Sequence, residues 1–337
     1  MKLKIDGFVL SIIAVVAAAY LFPYWAGSQS PIPIEQIATV GISLIFFFYG
    51  LKLSGKQIKS GLQNWKLHLL VQLSTFLLFP LLVLPFKPFI AAGHSQTIWL
   101  AFLFLAALPS TVSSSVVMVS IAKGNVPAAI FNASISGLIG IVVTPLWLEP
   151  FMPQTAANVS LFHIYMDLLT QILLPVLAGI LLQGFLGRYA RKYDHYLTLF
   201  DKAVILVIIY KSFGQSFEEN IFSSVDVGDF ALILGATVGI FFIMYFLTGY
   251  LADKAGFTLK DRTTAQYCGT KKSLVHGTIF AKILFPGSAS IGIILLPVML
   301  FHSIQIFIMS ILATRRARRR QINKASGDSD TCTSPHT

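Results

Sequence analysis

Apolar runs of about 18 residues or more recur along the chain, each long enough to cross about 30 Å of hydrocarbon as a helix. In lipid a backbone must satisfy its own hydrogen bonds, so only helices and closed barrels span. Long uninterrupted runs, without the short alternating segments of a barrel, select a helical bundle. With 12% of its residues charged, against about 25% in a soluble domain, the chain reads as a membrane protein.

The runs read as ten spans, at approximately 7–23, 34–51, 66–86, 96–122, 125–149, 163–185, 199–212, 228–250, 262–283 and 289–313. An even count puts both termini on one side, and the run "RRARRR" (Arg315 to Arg320) marks that side as cytoplasmic by the positive-inside rule. Of the 25 basic residues, all but Lys87, Lys211, Lys282, Lys271 and Lys272 then fall in inside segments. The net charge of +11 is thus read as topology plus contact with anionic lipid at the cytoplasmic face, not as nucleic-acid binding. The first span reads as retained rather than as a cleaved signal, since its removal would break the even count. Expected domains are 1–313, the membrane bundle, and 314–337, a basic then disordered tail. Cys268 lies within a span and Cys332 in the tail, so no disulfide is expected.

A shift of 159 residues aligns Ala106 with Ala265, Thr111 with Thr270, Ser114 with Ser273, Val116 with Val275, Ala122 with Ala281 and Lys123 with Lys282. It pairs span four with span nine and suggests two halves, about 1–150 and 160–313; five spans each would make the halves inverted. Both paired segments are interrupted, "ALPSTVSSS" by Pro109 and "CGTKKS" by Gly269. Pro109 removes a backbone donor, and Ser110, Thr111 and Thr270 are expected to cap half-helices that start inside the membrane. Irregular backbone at that depth survives only when buried or lining a wet cavity. Two facing breaks therefore suggest a substrate or ion site, against the simpler reading of kinked helices whose Ser and Thr bond their own carbonyls.

The segments "FFFYGLKLS" (Phe46 to Ser54), "PSTVSSSVVMVSIAKGNVPAAIFNASISGLIGIVVTPL" (Pro109 to Leu146), "CGTKKSL" and "FHSIQI" (Phe301 to Ile306) carry a resemblance to the bile acid:sodium symporter family, solute carrier family 10, in its member-seven-like branch. The resemblance implies an all-α, ten-helix inverted-repeat fold with helices four and nine broken and crossing. A panel of helices 1, 2, 6 and 7 would stand beside a core of 3–5 and 8–10, working by alternating access. At the family's ion-ligating positions this chain has Ser113, Ser114 and Ser115, then Val116 where an asparagine is usual; Asn132, Ser134 and Ser136 lie nearby on span five. Tyr267 takes the place of a ligating glutamate and Lys271 that of a glutamine, with Gln72 and Thr75 as stand-ins on span three. Sodium needs oxygen, whereas an ammonium donates protons. Ser114 and Asn132 are the candidate sodium oxygens, and no other cofactor is expected. The branch is also associated with cellular calcium regulation.

Consecutive helical side chains diverge by about 100°, so Lys271 and Lys272 share one cavity only if the backbone unwinds. An intramembrane lysine costs about 2.5–3.5 kcal/mol, which argues for a role or a partner; snorkelling is the alternative for Lys271. Lys272 is expected to share a face with Ser273 and His276, either standing where a coupling cation would sit and exchanging a proton, or forming an anion site with the half-helix ends. His302 could approach the crossing, and His163 with Asp167 forms an interfacial pair. Asn158-Val159-Ser160 is a glycosylation sequon if the chain enters a secretory pathway. These readings converge on a secondary transporter in a bacterial inner or eukaryotic membrane, with a small organic anion as solute and sodium or proton coupling. The rival is a membrane regulator of calcium homeostasis that moves no solute; no enzyme motif stands at catalytic spacing.

Overall fold

The structure, a computed structural model, describes residues 7–26, 30–52, 64–89, 94–111, 113–152, 169–218, 226–285 and 290–325, with residues 166 and 220. Regular structure among them is helical: α1 (Gly7–Leu21), α2 (Ile34–Lys52), α3 (Trp65–Lys87), α4 (His94–Ala107), α5 (Ser113–Ile121), α6 (Val126–Leu148), α7 (Leu174–Lys192), α8 (Asp194–Glu218), α9 (Val227–Lys254), α10 (Leu259–Gly269), α11 (Leu274–Leu284) and α12 (Ile291–Ala325). Six helical segments are long and apolar enough to cross a membrane: Ile34–Lys52, Trp65–Lys87, Val126–Phe151, Leu169–Lys192, Val227–Lys254 and Ile291–Arg318. On α7 the side chains of Leu181 and Phe185 are each 80% exposed, a surface that lipid rather than water covers. His163, Asp167, the sequon and Cys332 lie outside the described residues.

Three helices run past expectation, the sixth continuing to Lys192 rather than ending at 185. The seventh runs from Asp194 to Glu218, well beyond 199–212, and three of its charged residues find partners on other helices. Lys211 meets Glu35 at 2.7 Å, Asp194 meets Lys52 at 2.7 Å, and Lys202 lies over the Phe8 ring. The tenth does not stop at 313: α12 continues through the arginines to Ala325, since Arg, Lys, Gln and Ala are good helix formers outside lipid as well as in it.

Polar caps fix the helix starts. Asn125 accepts from Ala128 N at the head of α6, Asp226 and Asp229 form a capping box on α9, and Thr258 accepts from Asp261 N on α10. The α5–α6 turn, with Lys123 at φ 59°, is tied to α10 by Asn125 N donating to Thr264 Oγ1 and Asn125 Nδ2 to Asp261.

Two neighbourhoods emerge. In one, α2 lies along α7 and α8, and α1 along α8. In the other, α12 packs against α4, α5, α9 and α11, with α6 and α10 beside them. The first depends on two glycines: a Cβ on Gly50 would collide with the Val176 carbonyl, and one on Gly179 with the Phe47 carbonyl. Backbone rather than side chain stands in the way, so neither helix yields without separating. Gly179→Ala is expected to lower stability by about 1–3 kcal/mol, the usual cost of overpacking. An unchanged melting temperature in detergent would contradict that contact.

Candidate functional site

Both interruptions are real breaks. α4 ends at Ala107 and α5 begins at Ser113; α10 ends at Gly269 and α11 begins at Leu274. The two breaks are bonded directly to each other: Ser273 N donates to Pro109 O at 2.9 Å, and the Ser110 hydroxyl Oγ donates to Cys268 O at 2.7 Å. Ser110 N donates in turn to Ser136 Oγ at 3.0 Å, and Thr144 Oγ1 to Ala107 O at 2.8 Å, both from α6. Broken ends that would otherwise face lipid unsatisfied are thus closed by side chains and by one another.

Lys272 supplies the largest share of this closure. Its Nζ donates to Ala106 O (2.6 Å) and Leu108 O (2.9 Å) at the end of α4, and to Thr75 O (2.7 Å) on α3, with the Phe79 ring centroid 4.0 Å away. Thr75 O is available for a reason visible in the chain. At Ser74–Leu78 the helix widens to a π turn, so Phe79 N bonds Ser74 O; the next residue, Pro80, has no N–H to offer. The same proline leaves Phe76 O without its α-helical donor, and Trp147 Nε1 fills that place at 2.7 Å. A cation at a helix C-terminus is also favoured by the helix dipole.

The unwound backbone of Lys272 is held by Gln305 of α12. Gln305 Oε1 accepts from Lys272 N at 2.9 Å, and its Nε2 donates to Lys272 O at 2.7 Å. His302 Nδ1 lies 3.1 Å from the same Nε2, which puts His302 one residue removed from the crossing. Gln305 was not among the expected site residues, although it lies within "FHSIQI".

Lys271 and Lys272 are both buried, at 0% and 1% exposure, so neither snorkels. Because the backbone is unwound they diverge: Lys271 Nζ reaches Ser114 O at 2.8 Å and Ser114 Oγ at 3.3 Å on α5. Thr111 Oγ1 lies 2.8 Å from both Ser114 Oγ and Ser115 Oγ, forming a hydroxyl cluster over the first turn of α5. Ser113 opens that helix, its side chain lying outside the described residues.

Three expectations are corrected. Thr270 does not cap α11; Ser273 does, accepting from His276 N, because the chain leaves the helix after Gly269 and α11 begins only at Leu274. Thr270 Oγ1 is instead buried without a partner. Ser110 Oγ donates to Cys268 O instead of standing at the head of α5, which begins three residues later at Ser113. Lys272 shares no face with His276, since its ammonium points to α3 and α4 while His276 Nδ1 pairs with Ser273 Oγ at 2.9 Å.

His276 faces the other neighbourhood. A Cβ on Gly137 would stand 3.0 Å from its Nε2, the Phe46 ring lies edge-on at 5.6 Å, and Nε2 has no partner. Tyr49 of α2 donates across the same seam to Ser134 O. Gln72 Nε2 donates to Asn132 Oδ1 (3.2 Å) and Asn132 O (3.3 Å), joining α3 to α6, and Gln72 Oε1 is left without a partner.

Comparison with known proteins matches residues 6–318 to the model of the SBF-like CPA transporter family. The chain belongs to that family. This SBF-like chain is 37% identical over 318 residues to an uncharacterised protein of Pseudomonas aeruginosa, covering 94% of each. It is 35% identical over 325 residues to the putative symporter YfeH of Escherichia coli (96% of this chain, 97% of the relative). It is 31% identical over 319 residues to sodium/bile acid cotransporter 7 of Xenopus tropicalis (92% and 91%). The SBF-like chain is thus an integral membrane transporter of the bile acid:sodium symporter type, in its member-seven-like branch, and not an enzyme. None of these relatives carries a regulator's name.

The oxygens aligned with sodium ligands are already engaged by protein donors, each carbonyl keeping one further lone pair, and Gln72 Oε1 beside them is unpartnered. Ser114 O and Oγ already accept from Lys271, Asn132 accepts from Gln72 through both its oxygens, and Lys271 brings donors where sodium needs acceptors. Among the described residues no cluster of His, Cys, Asp and Glu could hold another metal.

Proposed function

We propose that this protein is a secondary active transporter that moves a small organic anion by alternating access, with proton rather than sodium coupling. The observation that carries this reading is the hydrogen-bonded pair of broken helices around two buried ammonium groups, which a static scaffold has no need to build. An ammonium has three N–H donors, and Lys272 meets three carbonyls; a neutral amine would leave one of them facing a lone pair. In this reading Lys272 stays charged and pins the crossing, occupying the role of a bound cation without exchanging. The mobile proton and the solute then belong to the seam beside it, where His276 Nε2 is unpartnered and Lys271, Ser114 and Ser115 lie one helix away. This narrows the expected set of Ser113, Ser114, Ser115, Asn132, Ser136, Thr270, Lys271, Lys272, Ser273, His276 and Gln72. Ser136 and Lys272 build the crossing, and Asn132 joins α6 to α3, rather than touch the solute.

The neighbour pattern supports two inverted halves. α2 on α7 has its counterpart in α8 on α1, and α5 on α6 in α11 on α12, as a two-fold relation between residues 1–150 and 160–313 requires. In this reading α1, α2, α7 and α8 form the panel and the remaining helices the core, with both termini cytoplasmic and the arginines of α12 against anionic lipid. Uptake into liposomes, assayed over a set of small carboxylates, sulfonates and phosphate esters, tests it. An inward proton gradient should raise uptake of at least one of them several-fold, His276→Ala should abolish that response, and a sodium gradient should add nothing. Sodium-driven uptake, or proton-driven uptake intact in His276→Ala, would overturn the coupling; no uptake of any anion would overturn the function.

A further inference from the structure

Where α12 begins, at the end opposite the arginine run, three helices bring charges together. Glu35, in the first turn of α2, places Oε2 2.7 Å from Lys211 of α8 and Oε1 3.0 Å from Lys282 of α11. Lys282 Nζ also donates to Thr39 Oγ1 at 2.6 Å and to Glu35 O at 3.3 Å. Lys52–Asp194 joins α2 to α8 and Arg262–Asp253 joins α10 to α9, each within one neighbourhood. Lys282–Glu35 instead spans the seam between the two.

Among the described residues the cluster is unbalanced, with two ammonium groups sharing one carboxylate. The carboxylate is the exposed member, its side chain 50% accessible, while those of Lys211 and Lys282 are at 27% and 14%. A pair whose purpose was only to glue helices would bury the shared ion and balance the charge. Here the cations form the floor and the anion lies on the water side, where another anion can replace it. The floor also connects to the crossing: Lys282 is nine residues after Ser273, the cap of α11 beside Lys272, a rise of roughly 13 Å along one helix.

We propose that Lys211 and Lys282 form the receiving site for the anionic group of the solute, a carboxylate, sulfonate or phosphate ester, and that Glu35 is an internal anion holding its place. This rests on the reading of the protein as an anion transporter and adds where the solute is first met. When the solute displaces Glu35, the seam loses an ion pair between α2 and α11 and gains a bridge through the ligand. Arrival of cargo is thereby coupled to a change in what joins the two neighbourhoods.

Inorganic sulfate serves as the probe, titrated against chloride at constant ionic strength while thermal unfolding of the purified full chain is followed. Glu35→Gln removes the internal anion at a half-exposed position and should make sulfate stabilisation saturable at several-fold lower concentration than in the native protein. Glu35→Gln/Lys282→Gln and Glu35→Gln/Lys211→Gln should each lose that response. A Glu35→Gln protein indifferent to sulfate, or double variants that respond as it does, would overturn the site and leave an ion latch only. Because the measurement needs no gradient, its failure is separate from failure of uptake. Sulfate binding that survives while no anion is transported would sink the transport reading alone.

Discussion

Replacing Lys272 by methionine is expected to lower stability by about 3 kcal/mol, more than any other single side-chain change at the crossing. Three carbonyls lose their donor at once, and each costs about 1–3 kcal/mol when left dry. Methionine recovers the ammonium's own insertion cost of about 2.5–3.5 kcal/mol, which keeps the balance from being larger. Lys272→Arg should not rescue it, because a planar fork cannot aim three protons at three oxygens clustered round one point. Lys271→Met is the control. Its partners Ser114 O and Oγ lie in and over the first turn of α5, where Met118 N and Thr111 remain available, so a loss within about 1 kcal/mol is expected. Thermal unfolding of the three variants in one detergent decides it. Equal melting temperatures for Lys272→Met and the native protein would mean that the carbonyls find other donors.

Gln305→Leu should come second, at about 2–3 kcal/mol, since it strips the partner from both the N–H and the C=O of Lys272 while keeping most of the volume. Gln305→Glu separates the two halves of that contact. A carboxylate can still accept from Lys272 N but cannot donate to Lys272 O, so it should recover part of the loss at most. Hydrogen exchange gives an independent reading, with the Lys272 amide exchanging faster in Gln305→Leu and staying protected in Gln305→Glu. Protection unchanged in Gln305→Leu would show that the unwound segment is held by something else.

The division between what the chain announced and what it concealed follows sequence distance. The positions of the helices were legible because lipid demands long apolar runs. The breaks were legible because Pro109 and Gly269 are local disruptors. The seventh span, α8, was foreshortened because Asp201, Lys202 and Lys211 lower its hydropathy, and the partners that Lys202 and Lys211 find on other helices cannot be read from one segment. The cap of α11 was misplaced by three residues because Thr270 and Ser273 are equally good caps, and what selects Ser273 is the extended stretch that Gln305 and Pro109 hold in place. That Lys272 points toward α3 and α4 depends on Thr75 and Ala106, distant by 197 and 166 residues. Pro80 was the one local clue, since a proline within a span leaves carbonyls behind it in need of donors.

The direct bonding of Pro109 to Ser273 and of Ser110 to Cys268 has a mechanical consequence. The two unwound stretches are knotted to one another, so neither can open like a door without undoing the other. They would travel as an axle, turning or sliding as one solid piece, and any change of access would have to come from how that piece rides against α2 and α8.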